Sequence, residues 1–336
     1  MGYQALYSNT TAQNNTAIGY GALWANTTGT NNTAVGTLAL DSCTTSVSNV
    51  CIGQSAGAGI TTGNGENVCV GNNCGVLMTT GQQNVLIGDN AGAGGVITGA
   101  SNTCVGDNAG YALTSSSFNT AFGSSSLDSC TTGSSNIAFG GGALNDVTTG
   151  SNNIGIGYRA GGYSTTLTTG NYNILIGHDA HTDGVNAAHQ IVIGSNGDQG
   201  KGDNTAFIEP NGGGIYAGNN SSSLLTTSDR RIKKNIVNNT TGLDKINQIT
   251  VRNFEYKTED EIIADSPELS GVAESAAIKR EGVQLGVIAQ EIETILPDVV
   301  KTESTGVKSV DPDNLTWYLV NAIKELSAKV AALEAG

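Results

Sequence analysis

Ser228 opens the run S-D-R-R-I-K and Lys233 closes it. A serine hydroxyl becomes a useful nucleophile when a neighbouring base takes its proton. A lysine amine can be that base only when neutral, a form that desolvation favours. The same residues also have a complete structural reading: Ser228 as the N-cap of a helix, with Asp229 in the first turn. Both readings stand on the residues alone.

Two further residue types could do chemistry. His178, His181 and His189 cluster beside Asp179 and Asp183. If copies of the chain met on a threefold axis, any histidine near it would be tripled, so His178 and His181 are the candidates for a metal; the competing reading is a polar loop. We expect no metal and no cofactor. The six cysteines, Cys43, Cys51, Cys69, Cys74, Cys104 and Cys130, have neither C-x-x-C pairing nor companion histidines, which argues against zinc. They are expected to be free thiols acting as small apolar residues.

The chain that must position these groups changes character at Ser228. Of 336 residues, 38% are hydrophobic, 5% aromatic and 13% charged, and 47 are glycine. This composition suits repetitive β architecture or disorder better than a conventional core. Residues 1–199 carry nine acids and one base, Arg159; the segments 1–199, 200–227 and 228–336 have net charges of −8, −1 and −5. Such an acidic surface repels phosphate backbones, so nucleic-acid binding is not expected. No apolar run is long enough to span a bilayer and no signal peptide is visible, so membrane insertion is not expected either. The opening M-G-Y-Q-A-L fits the interior of a repeat, and the natural chain is expected to begin further upstream.

A glycine preceded by an apolar residue recurs at Gly19, Gly36, Gly53, Gly71, Gly88, Gly106, Gly123, Gly140, Gly157, Gly177 and Gly194, mostly 17 residues apart, with one interval of 20. Four residues before each sits Asn, from Asn15 to Asn173, with Gln190 at the last. Disorder has no reason to hold this phase. A period of this size means a solenoid with one coil per repeat. In each coil a β-branched residue and an Ile, Val or Phe flank a small or moderately apolar one, as in Val50-Cys51-Ile52. This predicts a strand apolar on both faces, one covered by the coil interior and the other most simply by an identical chain. Asn and Gly are expected to make the turns, with the asparagines stacked in a ladder. A second anchor, Ala followed by Leu or Gly as at Ala22-Leu23 and Ala56-Gly57, is expected to close the other corner. Cys51, Cys69 and Cys104 share the strand phase, Cys43 and Cys130 a loop phase, and Cys74 the Ala-anchor position.

N-T-A-I-G-Y-G-A-L, N-V-L-I-G-D-N-A-G and N-I-G-I-G-Y-R-A-G resemble the head repeats of YadA-like trimeric autotransporter adhesins, which also occur in viral tail fibres. Over residues 1–199 the resemblance implies a trimeric left-handed parallel β-roll. Residues 200–227 read as a connector, hairpin or β-prism-like, with short strands T-A-F-I and G-I-Y-A.

The remaining segment, 228–336, resembles the endosialidase-type intramolecular chaperone domain of phage tailspikes and fibres. Its opening fits S-D-x-R-[LI]-K-x-x-I. In order follow V-R-N-F-E-Y-K, L-G-V-I-A-Q-E-I-E-T-I-L-P-D-V-V and N-L-T-W-Y-L-V-N-A-I-K-E-L, and 258–282 looks like a variable insertion. The resemblance implies a domain that drives trimerisation and then cuts itself off with a Ser-Lys dyad. By position the nucleophile is Ser228, the base Lys233 and the scissile bond Thr227–Ser228, at most a single-turnover serine auto-endopeptidase. The tail helix, expected over 313–335, places Leu319, Ile323, Leu326, Val330 and Leu333 at spacings of 4, 3, 4 and 3. That is a coiled-coil seam of two heptads, or else one face of a helix packed on its own domain.

The expected fold class is therefore mostly β: a trimeric parallel β-roll or β-solenoid shaft, then a small α+β chaperone domain ending in a coiled-coil helix. The expected function is a homotrimeric virion tail fibre or spike binding a host-cell receptor, a glycan by class. The alternative is a cellular trimeric surface adhesin with the same chaperone. A glycan-cleaving tailspike would need paired carboxylates, and the shaft acids form no repeated pair.

Overall fold

The computed structural model describes residues 2–63, 65–162, 164, 166–195, 197–209, 215–217, 224–225, 230–270, 281–302 and 306–335. The chain divides into two compact units, Met1–Ser228 and Asp229–Gly336.

The first unit is a parallel β-solenoid. Among the described residues, eleven short strands run from β1 (Thr16–Ile18) to β11 (Ile191–Gly194), one per coil, each hydrogen-bonded to the next. Coil length varies but register does not. Thr16 faces Thr33 across a 17-residue repeat, Val50 faces Val68 across 18, and Ile154 faces Ile174 across 20. The extra residues therefore leave the ladder intact and enlarge loops. β12 (Ala206–Glu209) adds in parallel to β11, and β13 (Ile215–Ala217) and β14 (Leu224–Leu225) follow antiparallel, giving one 14-stranded sheet.

The middle residue of each rung points inward. Ala34, Cys51, Cys69, Leu86, Cys104 and Leu175 are fully buried, packed with corner residues such as Leu23, Leu40, Met78 and Leu144. Where the rung carries Gly155, a Cβ would meet Leu144 Cγ at 2.7 Å, so the leucine occupies the missing side chain's space. Outward residues on the same rungs stay uncovered in the single chain: Ile18 is 51% exposed and Phe139 53%.

The asparagine ladder forms as the repeat predicts. Asn119 Nδ2 donates to Asn102 Oδ1 at 3.1 Å and to Gly133 O at 2.9 Å. The turn expectation needs one correction. The left-handed residue is the one before the ladder asparagine: Asn14, Asn31, Ser48, Phe118 and Tyr172 have φ from 58° to 61°. The ladder asparagine has its side chain fixed in the core, so its predecessor absorbs the reversal, even when bulky. The strand glycine is required for a different reason. At Gly36, φ is 142° and a Cβ would lie 2.2 Å from Gly53 O, because successive coils meet backbone to backbone there. At the other corner Ala22 and Ala56 are buried, and Leu23 and Gly57 take φ of 53° and 61°.

The sequence reading missed a second ladder. Thr27 Oγ1 donates to Thr44 O at 3.1 Å, and Thr44 Oγ1 to Thr61 O at 3.0 Å. The Thr-Thr pair recurring with the coil was its signal.

The second unit is small and α+β. It contains α1 (Leu243–Ile246), β15 (Arg252–Phe254), α2 (Glu259–Asp265), β16 (Gln284–Gly286), α3 (Ala289–Ile295), β17 (Val300–Thr302), β18 (Lys308–Val310) and the C-terminal helix α4 (Pro312–Glu334). β15 pairs antiparallel with β16, and β17 with β18. Its core is Ile292, Leu296, Val299 and Tyr318.

Candidate processing and assembly site

The second unit is organised around α4. Asp311 caps the helix, accepting from the Asp313 and Asn314 backbone N–H groups, and Pro312 takes the first turn, where its missing N–H costs nothing. The Lys301 ammonium beside Asp311, 3.1 Å away, holds that carboxyl below the usual range. One helix face serves its own unit. Tyr318 and Ala322 are buried, and Tyr318 Oη donates to Asp298 Oδ2 at 2.5 Å, a bond that raises the phenol's pKa. Asn321 Nδ2 donates to Asn239 O at 3.0 Å and Thr241 O at 3.1 Å, while the Leu243 N–H donates to Glu325 Oε2 at 3.1 Å. These bonds clamp the segment that follows residue 233 onto the helix.

The heptad residues lie elsewhere on α4. Leu319, Ile323, Leu326, Val330 and Leu333 are 42–82% exposed. Packing on the helix's own unit therefore uses Tyr318 and Ala322, not the seam.

Of the candidate dyad, Lys233 follows the 3-10 turn Arg230–Ile232, its N–H donating to Arg230 O at 3.2 Å, and its side chain is exposed. Thr227 and Ser228 lie outside the described residues, as do 210–214 and 218–223 of the connector and 271–280 of the expected insertion.

Residues 228–301 match the chaperone-of-endosialidase family, Peptidase_S74. The match begins on Ser228 itself and ends before β18 and α4, so the helix with the seam lies beyond it. No curated protein matches the chain. A chaperone-of-endosialidase domain behind a β-solenoid fits a trimeric fibre with an intramolecular chaperone.

The other candidates fall in the solenoid. His178 stacks on Tyr158, centroids 5.3 Å apart, and its Nδ1 lies 3.2 Å from Asp179 Oδ2. His181 is buried, with Nδ1 3.0 Å from Asp179 O. Among the described residues no group of three His, Cys, Asp or Glu side chains has metal-holding geometry. All six cysteines are free and buried. Burial pushes the Cys43 thiol up to about 11 and Cys130 up to about 12, so neither is a nucleophile near neutral pH.

Proposed function

We propose that this chain is the shaft and assembly domain of a homotrimeric virion fibre or spike that binds a host-cell receptor, a glycan by class. Its C-terminal unit acts as an intramolecular chaperone and then cuts the Thr227–Ser228 bond, with Ser228 as nucleophile and Lys233 as base. One observation carries the reading. Eleven coils expose a continuous outward row, Ile18 through Ile52, Ile87, Phe122 and Ile156 to Ile193, with no charged side chain in it. A monomer would leave that row in water, and contiguous apolar surface of this kind marks an interface. The α4 seam adds a second self-complementary row at the other end of the sequence.

The chemistry of the cut follows from Lys233. A neutral amine accepts the Ser228 Oγ proton as Oγ attacks the Thr227 carbonyl carbon. The ester formed releases the Ser228 amine, and water then hydrolyses it. Neutral lysine requires desolvation, so cutting waits until assembly covers Lys233.

Size-exclusion chromatography with light scattering on the Ser228→Ala chain tests the assembly. The expected mass is three times that of the chain; a folded monomer at micromolar concentration would overturn it. A glycan array probed with the trimer then identifies the receptor class.

A further inference from the structure

The outward row is not uniform, and its irregularity sits where it is useful. The last three coil strands present identical pairs, Ile154 and Ile156, Ile174 and Ile176, Ile191 and Ile193. A copy of the chain displaced by one coil along this block meets the same side chains, so the block nearest in sequence to the chaperone unit cannot define register. The first six strands offer only Thr or Val at the first outward position and Ile or Val at the second. Between these stretches stand Phe122 and Phe139. They are register partners on neighbouring strands, their rings stack at 5.0 Å and 8°, and they are 47% and 53% exposed.

We propose that Phe122 and Phe139 are the register key of the interface between copies of this chain. The inference rests on the self-association proposed above. The occupant of the row is a second copy because the row repeats with the coil spacing, and another copy presents apolar side chains at that same spacing. The row also carries no charge, so two acidic shafts can meet along it without opposed carboxylates. In register, phenylalanine rows meet phenylalanine rows. After a one-coil slip one Phe122–Phe139 pairing between copies survives, but the other Phe139 faces the Ile156 row and the other Phe122 the Val105 row, so aromatic contact is halved and volumes mismatch at both edges. Elsewhere a slip exchanges only Ile, Val and Thr. Two residues thus supply discrimination that the identical pairs cannot.

The test uses the full Ser228→Ala chain carrying Ile87→Cys, which places one thiol in the outward row while the six native thiols stay buried. Copper-phenanthroline with dissolved oxygen joins two introduced thiols as a disulfide only where like coils face each other. The parent should approach the ceiling for a trimer with one thiol per chain, a disulfide joining two chains and the third thiol left free. Phe122→Val/Phe139→Val should keep the trimer mass and lose cross-linking several-fold. Adding Ile52→Phe/Val70→Phe to that variant moves the key to another pair of coils and should restore the yield. Equal yields with and without the phenylalanines, or no recovery with the moved key, would overturn the proposal. If the double variant aggregates, the moved-key variant decides alone. A monomer by light scattering before any oxidant would instead sink the self-association, a separate outcome.

Discussion

Asn49 gives both its backbone N–H and its side-chain Nδ2 to a single atom, Asn32 Oδ1, each at 2.9 Å. Asn32 Nδ2 in turn reaches Ser46 O at 2.9 Å. From Asn32 to Asn173 the ladder asparagines thus tie neighbouring coils together from buried positions. Removing one orphans groups on both sides. Asn102→Ala would leave the Asn119 N–H and the Ser116 carbonyl without their partners and take one of the two bonds of Asn119 Nδ2, which keeps Gly133 O. With about 1–3 kcal/mol for each buried group left unsatisfied, the shaft should lose about 3 kcal/mol or more. Asn14→Ala, on the exposed neighbour, should cost far less. Denaturant unfolding of both variants checks this.

The cysteines set an alkaline limit. A buried thiol with a raised pKa stays protonated in the folded shaft while the unfolded chain ionises near its ordinary value of 9.0. The folded state then holds more protons, so stability is complete below about pH 9 and falls as pH rises toward 11–12, where Cys43 and Cys130 ionise. The unfolding midpoint should be flat from pH 6 to 8 and drop above 9, and Cys43→Ala/Cys130→Ala should weaken that slope. A drop of equal size in that variant would assign the effect to other groups.

Processing divides the two readings of Ser228. With the dyad, the parent chain matures into fragments of 227 and 109 residues, and Ser228→Ala or Lys233→Ala leaves it whole but still trimeric. A capping serine gives no processing in any version and a stability loss of about 1 kcal/mol in Ser228→Ala. Denaturing gels with N-terminal sequencing of the small fragment separate these outcomes. A fragment beginning elsewhere would show the assignment to be wrong.

The two faces of α4 should respond differently. Leu326→Glu, on the exposed seam, should leave the unit folded and raise trimer dissociation about tenfold or more, about 1.4 kcal/mol. Asn321→Ala removes the donor to Asn239 O and Thr241 O and should cost about 1–3 kcal/mol. Its signature is faster hydrogen exchange across 239–246, with assembly unchanged. If Leu326→Glu instead unfolds the unit, the seam packs on its own domain.

Much of this protein is written in the sequence because it repeats. The glycine spacing, the ladder asparagines and the apolar-small-apolar strands each place one atom group at one point of a coil. Eleven restatements averaged out the ambiguity that one short strand would carry. The chaperone unit was legible through an ordered set of motifs, of which 228–301 is matched by the family.

Contacts between distant residues had no local signal. That Asn31 and Phe118 take the left-handed turn, and not the asparagine after each, depends on which side chain the core holds fixed. The Asn321 clamp joins residues 80 and 82 positions apart. Heptad spacing marked Leu319 and nothing in the sequence marked its neighbour Tyr318, yet Tyr318 is buried and Leu319 exposed. Sequence periodicity determines which faces of an element are apolar, whereas only the folded chain decides which of them finds a cover.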